Sequence, residues 1–135
     1  MNVKKEIDGF ILNRLQGALL NESLRLYSEG YASSDEIDAT IRDGLGLRWA
    51  FMGPFETIDL NAPGGIRDYM ARYGPMYIEM AKTQTKIPDW SDEAGEKLEI
   101  ERRKILPEDQ LQERAKKRNL LLKSLRKIKI ENDEE

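Results

Sequence analysis

Apolar residues in the first third of the chain recur at helical spacing. From about Gly9 to Glu29, at 100° per residue, Ile11, Leu12, Leu15, Ala18, Leu19 and Leu26 fall on one broad stripe. Leu20, Leu24 and Tyr27 fall on a second stripe nearly opposite, and Arg14, Asn21, Arg25 and Ser28 fill the narrow polar strip between them. A helix apolar on two sides predicts a central helix with neighbours on both faces. Gly30 stands just past its end, where helices commonly close with a left-handed residue.

Ser33 and Glu36 have the spacing of a capping box, which starts a second helix with Ile37 and Ile41 on its buried face. That helix is expected to stop near Gly44, because Gly44-Leu45-Gly46-Leu47 is too rich in glycine to continue it. Residues 44–54 then form an ordered loop, and Pro54 starts a short helix carrying Phe55, Ile58 and Leu60. Ala62-Pro63-Gly64-Gly65 breaks the chain again. Ile66, Tyr69, Met70, Tyr73, Tyr77 and Met80 mark a further helix, kinked at Gly74-Pro75. The pattern lapses between Thr83 and Trp90. Ser91 caps an acidic first turn, and Leu106-Pro107 opens a last helix with Leu111, Ala115, Leu122 and Leu125 on one face. No stretch alternates as a strand, so the expected class is all-α. A central helix apolar on two sides in so small a domain also predicts a homodimer.

Composition narrows the chemistry. The 135 residues have room for one ordinary domain, with 39% apolar residues to build its core. There is no cysteine, hence no disulfide or thiolate metal site, and no histidine, the usual base near neutral pH. A net charge of −3 gives no general reason to bind nucleic acid. The basic stretch from Arg102 to Lys129 lacks aromatic residues for base stacking and is read as a solvated helix face. No apolar run approaches the roughly 20 residues needed to span a bilayer, and no secretory cleavage pattern follows Met1. A cytoplasmic protein without nucleic-acid or membrane partners is expected.

Three features could carry chemistry. Asn13 shares a helix side with Leu20 and Leu24, so its amide either binds a ligand or satisfies a neighbouring loop. Glu22 falls inside the main apolar stripe and must pair or titrate high; a structural ion pair is the reading adopted. Arg48 sits among glycines and two aromatic residues in the 44–54 segment. Its guanidinium suits carboxylate or phosphate recognition, or it pairs with Glu56 or Asp59 as a structural residue. Phosphate loops, dinucleotide fingerprints and metal-ligand spacings are absent from the sequence.

Gly9-Phe10-Ile11-Leu12-Asn13-Arg14-Leu15, Asn21-Glu22, Leu26-Tyr27-Ser28-Glu29-Gly30, Asp35-Glu36-Ile37-Asp38 and Met52-Gly53-Pro54-Phe55-Glu56 occur in this order. Together they resemble the C-terminal domain of the 3-hydroxyacyl-CoA dehydrogenase family over residues 8–82. The insertion Leu47-Arg48-Trp49-Ala50-Phe51 before Met52 is similar to the lambda-crystallin branch, the branch of L-gulonate 3-dehydrogenase, and L-carnitine dehydrogenases have a similar Gly-Leu-Arg-Trp-Ala stretch. The resemblance implies a helical domain at residues 9–82, a helical extension at 83–130, an acidic tail at 131–135 and a linker at 1–8. It also implies an N-terminal Rossmann half, not encoded here, that binds NAD and supplies a His-Glu pair. By resemblance Asn13 and Arg48 are substrate-binding residues facing a small hydroxy acid, this chain holds no cofactor, and it is inactive without that half.

Overall fold

Residues 8–133 are described by the computed structural model. The linker assigned to residues 1–8 falls outside them, save that Asp8 opens the first helix, and so do the last two residues of the acidic tail. The chain divides into two compact units, the first ending at Trp90 and the second starting at Ser91. Both are helical, and there is no strand among the described residues.

In the first unit α1 spans Asp8–Ser28. Gly30 closes it with φ +80: its N–H donates to Tyr27 O (3.1 Å), and the Tyr31 N–H reaches back to Leu26 O (3.0 Å). These are the paired bonds of a Schellman ending, which only a residue at ease in the left-handed region permits. Helix α2, Ser34–Thr40, starts at Ser33, whose Oγ accepts from the Glu36 N–H at 3.1 Å and donates to the Glu36 carboxylate at 3.1 Å.

The expected loop at 44–54 is not a loop over most of its length. After α2 the chain makes a π turn over Ile41–Leu45 and continues as α3, Gly46–Trp49. Neither Gly44 nor Gly46 takes a positive φ. The Gly46 N–H donates to Ile41 O, the five-residue bond of a π turn, and a Cβ on Gly46 would lie 2.8 Å from that same oxygen. Gly46 is therefore what lets the wide turn close. Counting glycines as breakers failed because the second one admits a close backbone approach inside a helix.

The true break covers Ala50–Gly53, after which Pro54 begins α4, Pro54–Leu60. The Thr57 hydroxyl, buried, donates back to Gly53 O at 2.8 Å. A glycine corner at φ +79 on Gly65 leads into α5, Ile66–Lys82, which packs mainly on α4. Asp59 Oδ1 accepts from the Ile66 N–H at 2.7 Å and so serves the first turn of α5. Asp68 accepts from the Gly64 N–H (3.0 Å) and from Arg72 Nε (2.8 Å), which together hold its carboxyl below the usual range. Helix α5 runs on through Pro75.

The second unit holds α6, Asp92–Ile105, capped by Ser91 Oγ on the Ala94 N–H (3.2 Å). The last helix starts later than Pro107: a 3-10 turn at Glu108–Gln110 precedes α7, Leu111–Glu131. Pro107 is extended, at φ −60 and ψ 151, and only sets the entry.

Among the described residues only Ser34, Thr57 and Pro88 are buried; no large apolar side chain is. Folding of this chain by itself leaves its main hydrophobic stripes wet.

Candidate functional site

Helix α1 is pinned from the side by residues 83–90. Arg25 Nη1 donates to Lys86 O (2.8 Å), Gln84 Nε2 to Glu22 Oε2 (2.9 Å) and Trp90 Nε1 to Asn21 Oδ1 (2.9 Å). Arg25 Nε also pairs with Glu22 Oε1 at 2.9 Å. Burial pushes the Glu22 carboxyl up, but the bonds from Gln84 and Arg25 and the charge of Arg25 outweigh it, and its pKa ends below the ordinary value. Glu22 therefore pairs, as its place in the stripe required. Asn21 and Trp90 escaped the sequence reading, because nothing local links residues 69 apart.

Beside this strap an open groove of about 1000 Å³ follows α1, lined by Leu15, Ala18, Leu19 and Leu26 with Ile37 and Ile41 from the next elements. Neither Asn13 nor Arg48 lines it. Its apolar walls suit packing, and the Glu22–Arg25 ion pair and Gln84 stand at its edge.

Asn13 is exposed on α1, with no hydrogen bond among the described residues, so the idea of a buried amide satisfying a loop does not hold. Arg48 lies exposed on α3, not on a glycine loop. The alternative of a structural pair with Glu56 or Asp59 fails: Asp59 is engaged at the start of α5, and Arg48 makes no ion pair among the described residues. On α5 the hydrogen bond to Tyr77 and burial hold the Tyr69 phenol above its ordinary value, and the charge of Arg48 works against that rise without reversing it. Tyr69 is the centre of a cluster whose members the periodicity had used only to mark the helix. Its ring meets Tyr73 at 4.7 Å between centroids and lies nearly parallel to Tyr77 at 6.4 Å, and the Tyr69 and Tyr77 hydroxyls are hydrogen-bonded at 2.8 Å. No trio of acidic residues able to hold a metal ion occurs among the described residues. No helix among them is long and apolar enough to cross a membrane.

The described residues are all helical, with an exposed guanidinium and polar aromatic rings, in a sequence without histidine. Residues 9–99 match the 3-hydroxyacyl-CoA dehydrogenase C-terminal domain. The lambda-crystallin of Oryctolagus cuniculus is 42% identical over 131 residues, 96% of this chain and 41% of that protein. The lambda-crystallin homolog of Homo sapiens is 39% identical over 131 residues, again 96% of this chain and 41% of that protein. An L-carnitine dehydrogenase of Oceanobacillus iheyensis is 39% identical over 99 residues, 73% of this chain and 32% of that enzyme. The chain belongs to the 3-hydroxyacyl-CoA dehydrogenase family, as its C-terminal domain, and spans well under half the length of these relatives.

Proposed function

We propose that this chain is the substrate-closing, dimer-forming half of an NAD-dependent 3-hydroxy acid dehydrogenase of the L-gulonate type. The observation that carries the reading is Arg48: within a sequence similar to lambda-crystallin over 96% of its length, this guanidinium is exposed and no carboxylate among the described residues takes it. In the proposal Arg48 receives the substrate carboxylate through its planar fork, and Asn13 donates to the substrate hydroxyl or the developing carbonyl. A CoA thioester has no carboxylate at its reacting end, so such a clamp favours free hydroxy acids. The likeness to L-carnitine dehydrogenases supports a second reading, since carnitine too is a free hydroxy acid.

NAD does not fit this chain. Among the described residues there is no strand, and hence no strand, glycine loop and helix on which a dinucleotide could be laid. Its site and the base are assigned to a half outside these residues. The exposed apolar side chains Phe10, Leu12 and Leu15 of α1 support a homodimer.

In the full-length enzyme Arg48→Met is expected to lower kcat/KM for the hydroxy acid by about 2 to 4 kcal/mol, roughly 30- to 1000-fold, while NAD affinity holds. A change under twofold with folding intact removes the clamp. Calorimetry on the 135-residue chain is expected to give no NAD binding, and saturable binding there would overturn the assignment of NAD to another half.

A further inference from the structure

We infer that Tyr69 and Tyr77, held as a hydroxyl pair on α5, position the hydroxylated chain of a polyhydroxy carboxylate; the inference rests on Arg48 being the carboxylate clamp.

Eight residues of helix separate two Cα atoms by roughly 12 Å, so side chains at that spacing are not natural neighbours. Yet the Tyr69 ring, 4.7 Å from that of Tyr73, lies nearly parallel to the Tyr77 ring at 6.4 Å, and the two oxygens stand 2.8 Å apart. Burial does not force this: Tyr77 is 46% exposed and Tyr69 half-buried, so water is at hand for either hydroxyl. Whichever tyrosine donates, the other keeps a free O–H, and the donor keeps a lone pair. The pair thus offers one donor and one acceptor side by side, the complement of an alcohol.

Arg48 sharpens the ligand class. The bond to Tyr77 raises the Tyr69 phenol above its ordinary value, and the nearby guanidinium works against that rise. Three tyrosine rings without a cation would suit a quaternary ammonium group. With Arg48 as the clamp, its positive charge disfavours a cation and favours an anion with hydroxyls.

The test uses the 135-residue chain, side-chain NMR, and sodium L-gulonate and L-carnitine as probes. Gulonate is expected to shift the Tyr69, Tyr77 and Arg48 signals saturably and to bind several-fold more tightly than carnitine. Tyr77→Phe and Tyr69→Phe keep the rings and are each expected to weaken gulonate by about fivefold or more, as loss of one hydrogen bond does. They are expected to leave carnitine unchanged. Gulonate affinities within twofold of wild type in both variants, or no saturable shift in the wild type, overturn the pair. Should Arg48→Met abolish gulonate binding while both Phe variants retain it, the pair falls and the clamp stands.

Discussion

The two halves of α1 differ in what they meet within the described chain. From Asn21 onward its polar residues are spoken for within the chain, by Gln84, the Lys86 carbonyl and Trp90. Toward its start the helix shows Phe10 at 55%, Leu12 at 67% and Leu15 at 65% exposure, with Arg14 5.9 Å from the Phe10 ring as a cover. Directional bonds need a partner fixed in register, and the strap supplies one. Apolar area needs only to leave water, and here no other part of the described chain takes it in. One helix thus uses its second half to hold its own fold, and leaves apolar side chains of its first half exposed.

The largest effect is expected where that first half is made unfit for burial. Each leucine hidden in a dimer is worth about 1.5 to 3 kcal/mol, and symmetry counts each one twice. Leu12→Asp with Leu15→Asp is therefore expected to weaken association by on the order of 6 kcal/mol or more, leaving a monomer at micromolar concentration. The wild type is expected to sediment as a dimer. A wild-type monomer, or a double variant that stays dimeric, would mean that this half of α1 serves no such contact.

A smaller effect separates the two glycines of the π turn. A Cβ at Gly44 meets nothing within 4 Å, whereas at Gly46 it meets Ile41 O at 2.8 Å. Gly44→Ala is expected to be neutral or to stabilise by up to about 1 kcal/mol through chain entropy and helix propensity. Gly46→Ala is expected to cost about 1 to 3 kcal/mol, the usual penalty of overpacking. It also disturbs the helix that carries Arg48. Denaturant midpoints measured on both variants check this, and equal midpoints would show that the turn does not depend on the close approach.

Local signals were legible and non-local ones were not. Ser33, Ser91, Gly30 and Pro54 mark helix ends by chemistry that acts within a turn, and each stands at the end it announced. The π turn was hidden because its determinant is the space between Gly46 and the oxygen of Ile41, which composition does not encode. Asn21 and Trp90 were hidden by sequence distance, and the tyrosine pair by a spacing that ordinary helical neighbours do not use. Asn13 and Arg48 entered as candidates mainly through resemblance; their own patterns also allowed structural roles. Of these the structure removes the buried amide and the ion pair, since both side chains are exposed and neither has a partner within the described chain.

The smallest effect concerns the strap and its carboxylate. Glu22 has a folded pKa below its unfolded value of 4.5. Such a group stabilises the fold at every pH above that value, and the contribution fades as pH falls below 4.5 and through the folded pKa. The side chain is 32% exposed, so water screens the pair and the gain is modest, about 0.5 to 1 kcal/mol. Glu22→Gln removes the charge that holds Arg25 and is expected to lower Tm at neutral pH by roughly 2 to 6 °C. At pH 3, below the unfolded value of 4.5, part of that contribution is gone, and the gap between the two proteins should shrink. Trp90 gives a local readout, because its indole N–H is tied to Asn21 at 2.9 Å, and its emission should move toward that of a solvated indole as the strap loosens. If the gap in Tm is the same at both pH values, the Glu22 charge contributes nothing to holding the strap, and the bonds from Arg25 to Lys86 and from Trp90 to Asn21 must hold it without that carboxylate.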